Sequence, residues 1–197
     1  GVSAVTFSGG GEPLLYKRLP EIVEKLHKGG VRVATLTNGS NLKGLMSEAF
    51  QKYGTWVRVS LDGYDDKSYS KARGIKTGEF TKLINNMHDF KMSGTNCVLG
   101  CSFIVGKNNY KHIYNVCKKL KEIGVDHVKI SGAVVGNSPK ENNLYHGEIK
   151  GVVTEQIQSV KNIVDDNFKI VDHYHDLEGR FEKEYTTCPY ILYRPVI

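Results

Sequence analysis

The stretch SGGGEP, Ser8 to Pro13, sets three consecutive glycines and a carboxylate at the end of the apolar run VSAVTF. Glycine in a regular element costs about 0.5–1 kcal/mol relative to alanine. A triplet at a strand end therefore marks a tight strand-to-helix turn, with Pro13 at the helix start, or a backbone that a ligand approaches closely. Gly10 and Gly11 would leave backbone carbonyls open to a cation, and the Glu12 carboxylate requires a cationic partner or helix amides. A phosphate held by backbone amides is the other chemistry open to such a loop, but Glu12 would repel that anion. Further polar clusters occur in TNGS with Asn38, in SLDGYDD with Ser60 and Asp62, in GKNN with Asn109, and in GNSPKENN. Taken singly, Asp62 before Gly63 could shape a turn, and Arg73 could pair with Asp65 or Asp66 on the surface.

The cysteines call for a different chemistry. Cys97 and Cys101 form a CxxxC pair in CVLGC. An iron-sulfur cluster bound through three thiolates needs three converging cysteines, and two on one strand face cannot supply them. They read as core thiols, as does Cys117 within an amphipathic helix. Cys188, in TTCPYILYRPVI, follows polar threonines and precedes an apolar run. It reads either as a ligand opening a new module or as an isolated thiol. His173 and His175 in DHYHD would share a face of an extended segment, and two histidines without a third ligand read as a surface or substrate-facing pair.

These residues must be positioned by the elements between them. SAVTF, VRVATLTNG, WVRVSLDG, CVLGCSFIVG and VDHVKISGAVV read as strands. LPEIVEKLHKGG, with Ile22, Val23 and Leu26 on one face, reads as a helix, as do LKGLMSEAFQKYG, TGEFTKLINNMHDFKMSG, NYKHIYNVCKKLKEIG and VTEQIQSVKNIVDDNF. KIVDHYH reads as a short extended segment. Five strands alternating with helices imply a parallel sheet with right-handed crossovers. The polar clusters then fall just after the strands, on the carboxyl edge where ligands bind in barrels and doubly wound sheets.

At 197 residues, 40% hydrophobic and 24% charged, the chain is expected to form one domain with a real core. No run approaches the roughly 20 apolar residues of a membrane helix, so no membrane partner and a cytoplasmic location are expected. The net charge of +6 comes from lysines interleaved with apolar positions, as in CKKLKEIG. That is the pattern of a solvated helix face, and no nucleic-acid partner is expected. Both ends lie within apolar runs, GVSAVTF and YRPVI, so the chain reads as part of a longer protein.

The order Gly-Gly-Glu, Thr-Asn-Gly, Ser-x-Asp-Gly and asparagine at consecutive strand ends resembles the radical S-adenosylmethionine (radical SAM) superfamily over nearly the whole chain. The resemblance implies a partial (β/α)6 TIM-like barrel of parallel strands, missing the first strand, with the family's CxxxCxxC motif expected upstream of Gly1. It implies that Gly10, Gly11 and Glu12 meet the methionyl ammonium of SAM. Ser60 and Asp62 then match positions that contact the ribose or methionyl end, and Asn38, Arg73 and Asn109, at the neighbouring loops, are implied to bind SAM with them. None of them is expected to be a general acid or base. VKISGAVV would border the adenine.

The implied activity is reductive cleavage of SAM at a [4Fe-4S] cluster to a 5′-deoxyadenosyl radical, which abstracts hydrogen from a small-molecule or peptide substrate. A flavodoxin or ferredoxin is the expected electron donor. Residues 1–150 would form the core barrel, 151–183 the last barrel helix and a connector, and 184–197 the start of a SPASM or twitch module in which Cys188 binds an auxiliary iron-sulfur cluster. Without the CxxxCxxC motif the 197 residues are expected to be inactive by themselves. The alternatives are a cluster-less, non-catalytic SAM-binding or scaffold barrel and a cofactor-free barrel enzyme.

Overall fold

Alternation in WVRVSL shows how the strands form: Val57, Val59 and Leu61 are fully buried, while Trp56, Arg58 and Ser60 between them are half-buried. The same period of two runs through the next strand, where Leu99, Cys101, Phe103 and Val105 are fully buried. One face of each strand thus packs under helices and the other turns away from them. In the computed structural model, which describes residues 1–175, these strands join one sheet.

The strands are β1 (Ala4–Phe7), β2 (Arg32–Thr37), β3 (Trp56–Leu61), β4 (Val98–Val105), β5 (His127–Gly132) and β6 (Lys169–Asp172). They pair in chain order and all in parallel. Each connection must therefore return to the opposite end of the sheet, and it does so through α1 (Leu19–Lys28), α2 (Gly44–Tyr53), α3 (Asp66–Arg73) and α4 (Glu79–Met92), α5 (Ile113–Glu122), and α6 (Pro139–Gly147) and α7 (Lys150–Lys161). Right-handed crossovers between sequential neighbours place these helices on one face, the outer face of a partial TIM-like barrel. Phe50, Phe90, Phe103, Leu83 and Met87 fill the layer between helices and sheet. Each such side chain contributes about 1.5–3 kcal/mol by leaving water.

The five strands read from the sequence are all present, with one addition. Lys169–Asp172, within KIVDHYH, is a sixth strand paired with β5, not merely an extended segment. It is only four residues long, its burial alternates between exposed and half-buried, and it lies at the sheet edge. Its own pattern therefore carries little signal. Two helices, α3 and α6, also fall where the sequence pattern marks no helix. α3 is set by a capping box in which Asp65 accepts from the Ser68 amide at 2.7 Å and the Ser68 hydroxyl accepts from the Asp65 amide at 3.0 Å. α6 starts at Ser138, whose hydroxyl accepts from the Glu141 amide at 3.1 Å, with Pro139 in its first turn. Both are polar helices whose caps, more than an apolar stripe, mark them.

Cys97, Cys101 and Cys117 are buried in the layer beneath the helices. Burial pushes the Cys97 and Cys117 thiols up to about 12 and raises Cys101 further in the same direction. They are core thiols, as the sequence suggests. Cys188 and the expected module at 184–197 lie outside the described residues. The histidine pair does not lie on a strand: β6 ends at Asp172, whose carboxylate stands 2.8 Å from His175 Nδ1. No helix among the described residues is long and apolar enough to cross a membrane.

Candidate functional site

All strand carboxyl ends reach one edge of the sheet, and the polar loops meet there. After β1, Gly9 and Gly10 take φ of +80° and +51°. Nothing crowds a Cβ at either position, so it is the left-handed backbone that calls for glycine here. The turn closes with the Gly11 amide donating to Gly9 O at 2.5 Å and delivers Glu12 to the start of a short 3-10 turn at Pro13–Leu15.

Glu12 is the hub of the edge. Its Oε1 accepts from the Leu14 amide at 3.1 Å and from the Thr37 hydroxyl at 2.6 Å, and its Oε2 accepts from the Asn38 amide at 2.6 Å. The carboxylate thus clasps the β1 loop to the end of β2. Thr37 Oγ1 in turn accepts from the Gly39 amide at 2.9 Å, and Asn38 Oδ1 from the Ser40 amide at 2.9 Å. Gly39 has φ of +76°, and a Cβ there would sit 2.2 Å from Leu83 Cδ1, so any other third residue in Thr-Asn-Gly would be strained and would push Leu83 aside. Asn86 Nδ2 on α4 donates to Gly39 O and Ser40 O at 3.0 and 3.1 Å, fixing this loop from outside.

At the end of β3, Arg73 Nε lies 2.6 Å from Asp62 Oδ2, and its Nη2 donates to Ser60 O at 3.3 Å. The guanidinium stands 5.7 Å from the centre of the Tyr69 ring. Arg73 therefore pairs with Asp62, not with Asp65 or Asp66 on the surface. Those two carboxylates are engaged elsewhere: the Ser68 amide holds Asp65 below the usual carboxylate range, and the Thr81 hydroxyl does the same for Asp66. Gly63 allows this return of α3 over the strand, because a Cβ there would lie 2.5 Å from Tyr69 Cα. Asn109 is buried. Its Nδ2 donates to Asp62 O at 3.1 Å and to Ile104 O at 2.8 Å, while its Oδ1 accepts from the Gly106 amide at 2.9 Å. Its polar groups tie the β3 and β4 ends together, which makes it a positioning residue.

A cavity of about 310 Å³ opens between these loops, lined by Gly9, Gly11, Glu12, Leu36, Thr37, Asn38, Ser60 and Arg73. A neighbouring cleft of about 700 Å³ shares Asn38 and Arg73 and adds Tyr69 and Lys76. Of the eight residues singled out in the sequence, Gly11, Glu12, Asn38, Ser60 and Arg73 line the smaller cavity. Gly10 shapes its loop, Asp62 holds Arg73, and Asn109 braces Asp62. Sequence reasoning missed Thr37, Leu36 and Tyr69. Thr37 had a signal in the Thr-Asn-Gly loop, where a hydroxyl at a strand end is free to bond a neighbouring loop; the other two become visible only through packing.

The donor set fits a zwitterionic amino-acid group. A carboxylate and a guanidinium line one cavity, so an ammonium has an acceptor in Glu12 and a carboxylate has donors in Arg73. The methionyl end of SAM is such a group. An iron-sulfur cluster does not fit the described residues: no three or more His, Cys, Asp or Glu side chains among them converge to hold a metal, and the three described cysteines are buried beneath the helices.

The geometry has parallels among known proteins. The Fe-coproporphyrin III synthase of Methanosarcina barkeri is 31% identical over 121 residues, covering 61% of this chain and 29% of the relative. The S-adenosyl-L-methionine-dependent tRNA 4-demethylwyosine synthase of Methanocaldococcus jannaschii is 26% identical over 180 residues, covering 87% of this chain and 53% of the relative. The chain thus spans about a quarter to a half of the length of such relatives. Among solved structures, Streptococcus suis SuiB bound to S-adenosylmethionine superposes with a TM-score of 0.65 at 16% identity, covering 95% of this chain and 43% of that one, which shows a shared fold. The family model of the radical SAM superfamily matches residues 1–113, more than half of the chain and every loop from the glycine triplet to Asn109. On that match, and with the sheet and loops it predicts in place, the chain belongs to the radical SAM superfamily.

Proposed function

We propose that this chain is the SAM-holding part of a radical SAM enzyme and that the cavity between the β1, β2 and β3 ends takes the methionyl end of the cofactor. When bound, SAM would supply the radical chemistry of the superfamily, which would need a [4Fe-4S] cluster that the described residues do not hold. The residues present bind and orient. Glu12, held in place by three donors, sets its carboxylate beside the ammonium. Arg73, held by Asp62, offers its remaining N–H groups to the carboxylate, and Ser60 and Asn38 close the cavity around them.

The observation that carries this reading is the pairing of opposite charges, Glu12 and Arg73, on one cavity at the carboxyl edge. Calorimetric titration tests it with SAM and with 5′-methylthioadenosine, which lacks the amino-acid end. SAM is expected to bind at least tenfold more tightly; equal affinity overturns the assignment.

The remaining parts of the reading concern the whole protein. Relatives act on both kinds of substrate expected: one solved SuiB structure is bound to precursor peptide SuiA, and one relative is a SAM-dependent nucleotide dehydratase. A peptide or small-molecule substrate, a flavodoxin or ferredoxin electron donor and a cytoplasmic location are proposed for this protein. Residues 1–197 alone are proposed not to cleave SAM, and a SAM-perturbed [4Fe-4S] electron paramagnetic resonance signal after anaerobic reconstitution would overturn that. Cys188 is proposed as a ligand of an auxiliary cluster in a SPASM or twitch module. In the full-length protein, iron content should fall in Cys188→Ala and stay unchanged in the Cys97→Ala/Cys101→Ala double variant.

A further inference from the structure

The register of the sheet brings a second set of charged side chains together, away from the loops. Arg58 on β3 pairs with Gly100 on β4, which pairs with His127 on β5, so the three stand in one row across the sheet. Their neighbours Val57, Val59, Leu99, Cys101 and Val128 are fully buried under the helices. Arg58 and His127 therefore belong to the opposite, inner face. The next row on that face is Ser60, Ser102 and Lys129, and the row above it pairs Ile104 with Ser131.

The row is built to keep a basic group there. A Cβ on Gly100 would lie 2.4 Å from both Cε1 and Nε2 of His127, so the imidazole lies across the space a side chain at that position would fill. The Arg58 guanidinium stands 5.2 Å from the centre of the Trp56 ring, and its Nε is buried with no hydrogen-bond partner among the described residues. The acidic residue nearest in sequence to His127 does not supply one. The Asp126 carboxylate accepts from Lys91 Nζ at 2.8 and 2.9 Å and from the Leu99 amide at 2.6 Å. Burial, with the Arg58 cation adding to it, lowers the proton affinity of His127, as expected where positive charge is already present.

Buried polar groups in native proteins find partners, and an orphaned guanidinium nitrogen on an inner barrel face indicates a missing one. Guanidinium recognises planar or tetrahedral oxyanions through parallel N–H donors. We infer that the inner face around Arg58 and His127 binds an oxyanion, a carboxylate or phosphate group of a small-molecule substrate. The inference deepens the function proposed above and rests on it. Arg58 lies two residues before Ser60, which lines the cofactor cavity, and so about 6.6 Å deeper along the strand. A substrate anchored there by its charged end would present its body toward the cavity mouth.

The test titrates inorganic phosphate and acetate separately into the 197-residue chain and follows the His127 ring protons by NMR, assigned with His127→Gln. One of the two anions is expected to shift them saturably, and which one does so tells phosphate from carboxylate. Arg58→Gln should weaken that binding at least tenfold, Arg58→Lys should keep part of it, and SAM affinity should stay unchanged in both. Absence of a saturable shift with either anion, or undiminished binding in Arg58→Gln, overturns the inference. If Arg58→Gln does not fold, the wild-type titration decides by the same criterion. The two readings fail separately: loss of SAM binding with anion binding intact counts against the cofactor cavity alone, and the reverse counts against the oxyanion site alone.

Discussion

Removing the Glu12 carboxylate should weaken the fold as well as the cofactor site. In Glu12→Ala the Thr37 hydroxyl and the Asn38 amide each lose a 2.6 Å bond to an anion, and the Leu14 amide loses a 3.1 Å cap bond. Hydrogen bonds to charged groups contribute about 1.5–3 kcal/mol each and a cap bond about 1 kcal/mol. The site opens to a cavity that admits water, so the low end applies and the expected loss is about 4 kcal/mol. With a urea m-value of about 2–3 kcal/mol/M, the unfolding midpoint should fall by about 1.3–2 M. Glu12→Gln should be milder, because its amide oxygen can still accept from Thr37 and Leu14, but its NH2 then faces the Asn38 amide, donor against donor. About half the loss is expected. SAM affinity measured on the same samples should fall in Glu12→Ala by a further 1.5–3 kcal/mol, roughly ten- to a hundredfold. A wild-type midpoint in Glu12→Ala would refute the clasp, and a lowered midpoint with unchanged SAM affinity would confine Glu12 to a structural part.

Gly100→Ala should destabilise the chain by about 1–3 kcal/mol through the clash with the His127 ring, and His127→Ala in the same chain should remove most of that penalty; additive losses in a double-mutant cycle would show the two do not touch. Native-state alkylation at pH 8, mapped by mass spectrometry, should leave Cys97, Cys101 and Cys117 unmodified, because burial keeps all three protonated; labelling of any of them at the rate of the unfolded chain would contradict their place in the core. His127 has its proton affinity lowered from the ordinary 6.5 by burial and Arg58. As pH falls through about 6.5 the unfolded chain takes up this proton before the folded one does, so stability is lost below that pH and is unaffected above it. His127→Gln should flatten this part of the stability profile, and an unchanged slope would place the titration elsewhere.

The parts legible in the sequence were those written in local pattern. β3 and β4 announce themselves by alternation and α5 by its apolar stripe, because half-buried strands and amphipathic helices impose periods of two and 3.6 on the chain. Strand-then-polar-loop order was enough to gather the loops on one edge, since parallel strands joined by right-handed crossovers leave no other arrangement. Where local pattern is weak, the reading fell short. β6 is an edge strand with half its residues in water, and α3 and α6 are polar helices specified by Asp65 and Ser138 caps.

For the site, the sequence by itself determined which loops carry glycines and carboxylates to the carboxyl edge, because glycines with positive φ and loop carboxylates are local requirements readable one residue at a time. Their division of labour belongs to the tertiary structure alone. That Glu12 bonds residues 25 and 26 positions away, that Arg73 chooses Asp62 over Asp65 and Asp66, and that Asn109 spends its amide on backbone carbonyls follow from distances between loops of different strands. The row of Arg58, Gly100 and His127 is the extreme case: three residues far apart in the chain become neighbours through strand register, which a single sequence does not encode in any local period.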